Sequence, residues 1–543
     1  MKSIKIKEIY NRQIIVLAII IALSLVVTVP AFYPNRLNLS WDALFHMSRF
    51  TQIANSLSNC RLPIMITVFG AGNNLNASIA MYPWLADWFI IIPIMLIKKS
   101  YEALAIGLFL LNLITAINMY IMASYFTKRF SYRFIAVSLY LFNTYHLIDL
   151  YARLDFGEGT AYAYFPLVIV GMYYICDSKY VKGTLLLSIG IIGIANSHLL
   201  SLLAVVIYIF IVEIVRIIKR KITIKEIKTI FVSAVISLMS SSYTLGQLLF
   251  IRKKNDLFIP GQYTSQVSLT DSFNNLVANS FHEAYSSWNL GLITSGIILF
   301  LLFEVLRERG SIKKWGVYCI VAVSSLFIIY DFFPLNTKYK LIKYTIGNFQ
   351  MTGRFFIFTI LVTVISLLLW LEVKQVNFVK VIVIFVMLVV TSVSSIINYN
   401  LRGDVSRTPV SSSTWSKVLD SPQTSFDDYV PIQMHRKLQK NREPFKITKK
   451  SWDHCSVKYE IKVAKDGVYK LPLAYYENVP YEVRVNNKKT HLYSTKGQMR
   501  IAFPKGTSTL TIKSSVNKIW YLLFSISLLT TLLVYFMYFM YFM

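Results

Sequence analysis

Charge is scarce in this chain. Asp, Glu, Lys and Arg together make up 15% of its 543 residues, and only 27 positions are acidic. Hydrophobic residues make up 55%, and the mean hydropathy is +0.52. No soluble domain hides that much apolar surface, so a purely aqueous fold is excluded and a polytopic membrane protein is expected. Cysteine is scarce as well. Cys60, Cys176, Cys319 and Cys455 lack metal-ligand spacing, which excludes a zinc module; only Cys60 and Cys455 lie outside expected spans, and free thiols are the default. No Walker, zinc-protease, dinucleotide-binding or nucleophile-elbow pattern stands in a usable context.

Basic residues are plentiful by comparison: 56 Lys and Arg set a formal net charge of +29. They are scattered over loops rather than gathered on one soluble face, which argues against a nucleic-acid partner. They suit the setting of membrane topology, attraction to anionic lipid and the handling of an anionic phosphate substrate.

Apolar stretches of spanning length lie near 13–33, 79–97, 101–123, 134–150, 160–176, 183–198, 199–217, 228–250, 288–306, 315–332, 353–371, 377–398 and 518–543. The first follows a basic start, MKSIKIKEIYNR, lacks a small-residue cleavage site, and reads as a retained signal anchor. If all thirteen crossed, the basic loop at Arg216–Lys221 would share a side with Asp42, against the positive-inside rule. Removing 79–97, which carries Pro83, Asp87 and Pro93, restores the bias. That segment is expected to lie in the outer interface or enter part way, with Trp84 and Trp88 at head-group depth. About twelve spans with both termini inside are therefore expected.

The expected organisation is a transmembrane domain over 1–398, a first extracytoplasmic loop with interfacial helices at 34–100, and a Ser/Thr-rich linker at 399–450. A small extracytoplasmic β-sandwich at 451–517 and a last span at 518–543 complete it. The sandwich rests on alternating runs such as SVKYEIKVA and YEVRVNN, separated by Lys-Asp-Gly and Asn-Asn turns.

Chemistry is expected where two outer loops meet. Asp42, His46 and Arg49 share one face of a helix at i, i+4 and i+7. Asp149, Arg153, Asp155 and Glu158 come from the second loop, DLYARLDFGEGT. Sugar transfer from a phosphate leaving group needs a carboxylate to deprotonate the acceptor hydroxyl and cations to hold the departing phosphate. Gln350 and Arg354 open a later span from the same side, where the positive-inside rule does not account for an arginine. Asp42, His46 and Glu158 are the catalytic candidates; Arg49, Arg153, Asp155, Gln350 and Arg354 are the substrate-binding ones. No dedicated metal ligand is assigned, although Asp42, Asp155 and Glu158 could share a divalent cation, Mg or Mn. Asn196, Ser197 and His198 read as interhelical hydrogen bonding.

At these residues the chain resembles the GT-C superfamily of polyprenyl-phosphate-dependent glycosyltransferases. More closely, SWDALFHMSRF, LPIMITVFGAGN, MYPWLADW, LYARLDFGEGTAYAYFPLVIVGMYY and QMTGRFF resemble bacterial YfhO-type membrane proteins, some of which carry a label related to 6-pyruvoyl-tetrahydropterin synthase. The C-terminal LPLAYYENVPYEVRVNNKK and FPKGTSTLTI resemble that group's terminal β-sandwich. The resemblance implies an inverting transferase that moves a sugar from an undecaprenyl-phosphate carrier to an extracytoplasmic cell-surface glycan such as teichoic acid, in a bacterial cell membrane. Asp42 would be the base that activates the acceptor, with Arg153 and Glu158 in the second-loop motif. Relatives show Gln-Phe-Pro-Trp-Arg where this chain has Gln350-Met351-Thr352-Gly353-Arg354, so the arginine is kept and its aromatic neighbour lost. A lipid-linked saccharide flippase and a non-catalytic glycan-assembly protein are the alternatives.

Overall fold

In the computed structural model, helices dominate as far as residue 401 and strands fill 445–514. It describes residues 2–34, 37–39, 41–70, 74–258, 265–308, 310–332, 335, 339–340, 342, 345–402, 408–419, 428–434, 445–495 and 497–542. Seven helices among these are long and apolar enough to cross a membrane: Arg12–Phe32, Tyr101–Phe126, Phe156–Cys176, Leu199–Ile218, Thr352–Lys374, Phe378–Leu401 and Lys518–Tyr541. An eighth follows if Ile224–Ser240 and Ser242–Lys254, bent by 68°, are counted as one. These helices point to a membrane location.

The expected twelve spans are not confirmed, because several apolar stretches form shorter helices. The 134–150 stretch breaks after Phe130–Leu141, where the Asn143 side chain accepts the Tyr145 N–H (2.9 Å) and caps a new helix, Thr144–Leu147. That turn runs on into a π-helical segment, Ile148–Arg153. Tyr180–Ala195, Leu292–Arg307 and Lys314–Ile329 have 16 residues each, short of the roughly 20 that a hydrocarbon core requires.

The 79–97 stretch becomes Ser78–Met81 and the ten-residue helix Trp88–Ile97, about 15 Å long and half a crossing. Trp88 is exposed, as an interfacial residue would be. Trp84, expected beside it, is instead buried between Tyr243 and Phe524, because the bent helix pair and the last span cover it.

Strands β1 (Leu37–Leu39) and β2 (Thr408–Val410) pair antiparallel across most of the chain. The described parts of 399–450 are therefore packed rather than free linker: Trp415, Val430 and Met434 are buried. Residues 403–407, 420–427 and 435–444 of that expected linker lie outside the described residues, as do Ala71 to Asn73 of the Gly/Asn-rich turn.

The C-terminal strands form two antiparallel sheets. One has the order β3 (Phe445–Trp452), β4 (Ser456–Val463), β10 (Gly506–Ser514), β6 (Tyr481–Val485), β7 (Lys488–Lys489). The other runs β5 (Gly467–Ala474), β9 (Gln498–Phe503), β8 (Tyr493–Thr495). Alternating residues Val457, Tyr459, Ile461, Leu510 and Ile512 fill the space between them. The strands begin at 445, six residues before the expected boundary. The sandwich sits on the Trp41–Ser58 helix and the loop after it: Ser56 Oγ donates to the His454 carbonyl (3.3 Å), Ala474 N to the Asn74 carbonyl (2.8 Å), and Phe69 stacks on Trp452.

Candidate functional site

The Trp41–Ser58 helix is not a surface helix. Loop 62–70 covers it through Gln52, which donates to the Ile66 carbonyl (2.9 Å) and accepts from Val68 N (2.7 Å). Its first turn, carrying Asp42, points at the π-helical segment. Beyond that segment Leu154 takes a left-handed turn (φ 54°), and Asp155 caps the Phe156–Cys176 helix by accepting the Glu158 N–H. This compact reversal aims Asp149, Arg153, Asp155 and Glu158 at one point.

Arg153 is the hub. Its Nη1 donates to Asp149 Oδ1 and Glu158 Oε2, both at 2.9 Å, and its Nη2 to Asp155 Oδ2 at 2.6 Å. Its Nε lies 3.4 Å from Asp42 Oδ2. Arg354 adds a second cation, with Nε on Glu158 Oε2 (3.0 Å) and Nη1 on the Phe349 carbonyl and Gln350 Oε1. Tyr145 donates to the remaining Glu158 oxygen. Two glycines permit this density. A Cβ at Gly353 would lie 2.4 Å from the indole of Trp288, whose ring stacks 4.9 Å from the Arg153 guanidinium. A Cβ at Gly157 would lie 2.2 Å from the hydroxyl of Tyr82, which donates to Asp155 Oδ1.

His46 and Arg49 stand behind this cluster. Burial lowers the affinity of His46 for a proton against the pull of Asp155, so the ring is neutral near pH 7. Burial alone would raise Asp155, but Arg153 and then His46 hold it well below the usual carboxylate range. A neutral ring facing an ionised acid at 3.3 Å places its proton on Nε2, leaving Nδ1 to accept from Arg49 Nη1 (3.3 Å). Arg49 is fully buried and donates to the Tyr82 and Pro83 carbonyls. It braces the 82–83 turn from behind the cluster.

All eight sequence-predicted residues thus converge, and Asp42 differs from its neighbours. Its side chain is 49% exposed, against 6% for Arg153 and Asp155 and 5% for Glu158. Its walls raise the carboxyl above the ordinary range while Arg153 opposes them; access to water tempers the first effect. Sequence reasoning missed Tyr82, Tyr145 and Trp288. It also left His198 in a hydrogen-bonding role, whereas its ring nitrogen lies within 4.8 Å of Asp155 and Glu158 oxygens. The close-approach glycines were the available signal for Tyr82 and Trp288.

Asp155, Glu158 and His198 form a three-donor set of the size that holds a metal. The fit is poor. Asp155 Oδ1 already takes Tyr82, His46 and the Glu158 N–H, Asp155 Oδ2 takes Arg153, and Glu158 takes Tyr145, Arg153 and Arg354. A divalent ion would have to displace two arginines, so no step is routed through one.

Next to Arg354, a small recess bounded by Glu158, Ser201 and Phe349 opens into an apolar groove of about 460 Å³. Leu203, Ile207, Ile211, Ile328 and Phe358 line the groove. No protein-family model, curated protein or solved structure matches this chain.

Proposed function

We propose that the protein is a membrane glycosyltransferase that moves a sugar from a polyprenyl-phosphate donor to a cell-surface glycan on the extracytoplasmic side. The observation that carries this reading is the placement of one half-open carboxylate, Asp42, on a buried arginine–acid network beside an apolar groove. The groove suits the donor's hydrocarbon tail, and its volume falls within the roughly 300–1,000 Å³ of ligand sites. Arg354 stands at its head. Its Nε and Nη1 are engaged, and among the described residues Nη2 has no protein partner, which suits a phosphate oxygen.

In the reaction, Asp42 accepts the proton of the acceptor hydroxyl as that oxygen attacks the anomeric carbon. The bond from that carbon to the phosphate oxygen breaks, and its electron pair leaves with the polyprenyl phosphate, whose charge Arg354 receives. Attack opposite the leaving group inverts the anomeric centre. Arg153 is not a phosphate ligand in this scheme, since its donors are occupied; it keeps Asp42 in place. Trp288 supplies from another segment the aromatic ring absent at Gly353.

Asp42→Asn tests the reading. Transfer of labelled sugar from a polyprenyl-phosphate donor is expected to fall about 10²- to 10⁴-fold, the range for a lost general base. Insertion and melting temperature should stay near wild type. Full activity in that variant would remove Asp42 from the chemistry. The 68° bend between Ile224–Ser240 and Ser242–Lys254 favours the flippase as a second reading, since broken helices serve transport. Donor translocation by Asp42→Asn, without transfer by wild type, would select it.

A further inference from the structure

The outward face of the five-stranded sheet carries more charge than its folding requires. Lys446, Lys450, Lys458, Lys462, Arg484, Lys489 and Lys513 are all exposed there, with only Glu460 and Glu482 as acids. Those two acids are engaged within the sheet: Glu460 with Lys450 at 3.2 Å and Glu482 with Arg484 at 2.7 Å. Lys446, Lys458 and Lys462 have no ion-pair partner among the described residues. Lys446 and Lys462 are directly paired across β3 and β4, and like charges so placed oppose sheet formation. Lysine on an edge strand discourages sheet-to-sheet pairing, which accounts for β3 and β7. It does not account for Lys458, Lys462 and Lys513 on the interior strands β4 and β10.

We propose that this face docks a linear polyanionic polymer, whose charges the lysine row meets along its length. Geometry favours a polymer over a lipid surface. Strand β4 starts at Ser456, beside the turn that rests on Ser56, and leads away from it. Lys458 and Lys462 are four residues apart on one side of that strand, roughly 14 Å at 3.4 Å per residue. The charged row thus climbs away from the helical domain. A planar lipid surface would meet only its base, whereas a chain can follow its length.

The test uses the full-length protein in nanodiscs of neutral lipid, with immobilised long-chain inorganic polyphosphate as the probe. Wild type is expected to bind with an affinity that weakens steeply as salt rises. The exposed triple variant K446Q/K458Q/K462Q is expected to bind at least about tenfold more weakly with an unchanged melting temperature. Asp42→Asn should bind polyphosphate like wild type, so lost transfer with retained docking separates the two proposals. Equal polyphosphate affinity in wild type and triple variant would overturn the docking proposal. So would a wild type that binds phosphatidylglycerol vesicles through these lysines but ignores polyphosphate.

Discussion

The Thr352–Lys374 helix carries a charged cluster at each end, and the two are built differently. Arg354 and Lys374 are twenty residues apart, about 30 Å along a helix axis and close to the thickness of a hydrocarbon core. At the Lys374 end, Lys374 and Lys313 meet Glu308 at 2.9 and 3.0 Å, and Arg307 meets Glu304 at 2.8 Å. The cations there are open, with Arg307 59% and Lys313 47% exposed. At the Arg354 end every cation is enclosed, and a single acid remains half open. Ion pairs alone do not mark a site, because both ends have them. Desolvation with one incomplete member does, since such an arrangement costs stability and persists where it is used.

The largest effect expected from breaking this contrast comes from Arg153→Gln. It would strand Asp149, Asp155 and Glu158 in a closed space with one cation among them. Removing one partner of a buried pair costs about 3–5 kcal/mol, and here three partners are affected. The variant should yield little folded protein, or melt far below wild type in detergent. A melting temperature within a degree or two of wild type would show that the cluster is wetter than its burial indicates.

A smaller effect sharpens the role of Asp42. The proposed reaction needs its carboxylate, and burial raises the affinity of that group for protons against the attraction of Arg153. Activity should therefore be complete above the raised value and decline as pH falls through it. This acid limb should lie above the ordinary aspartate value of roughly 3.9. Asp42→Glu should keep a limb at reduced rate, while the residual activity of Asp42→Asn should have none. A limb that persists in Asp42→Asn would assign the titration to another acid of the cluster.

Much of this site was legible in the sequence because its members lie close together in the chain. Asp42, His46 and Arg49 follow helical spacing, and Asp149 to Glu158 occupy one short loop, so local rules suffice. Their depth was not legible. Arg49 was read as a substrate contact, and nothing in SWDALFHMSRF announces that the Tyr82 and Pro83 carbonyls will close over it. The span count is not confirmed for a related reason. Hydropathy over 134–150 is high, but one side chain, Asn143, offers the backbone a cap that starts a new helix inside the stretch. The sandwich was readable from period-two alternation; its docking on Ser56, Phe69 and Asn74 is long-range and leaves no local trace.

The smallest expected effect is at the far end of the same helix. Lys374→Gln removes contacts to Glu308 at 2.9 Å and Glu304 at 3.7 Å, yet Lys313 and Arg307 remain to serve both acids. Exposed pairs contribute about 0–1 kcal/mol, and the remaining cations offset part of that. Melting temperature should move by no more than a degree or two, and raising salt should shrink the difference further, because water reaches these side chains and ions screen them. Transfer activity should be unchanged, since the residue is about 30 Å from Arg354 along the helix. A large loss of transfer in Lys374→Gln, with stability intact, would mean that the two ends are coupled through the helix; the contrast between a working cluster and a merely charged one would then be lost.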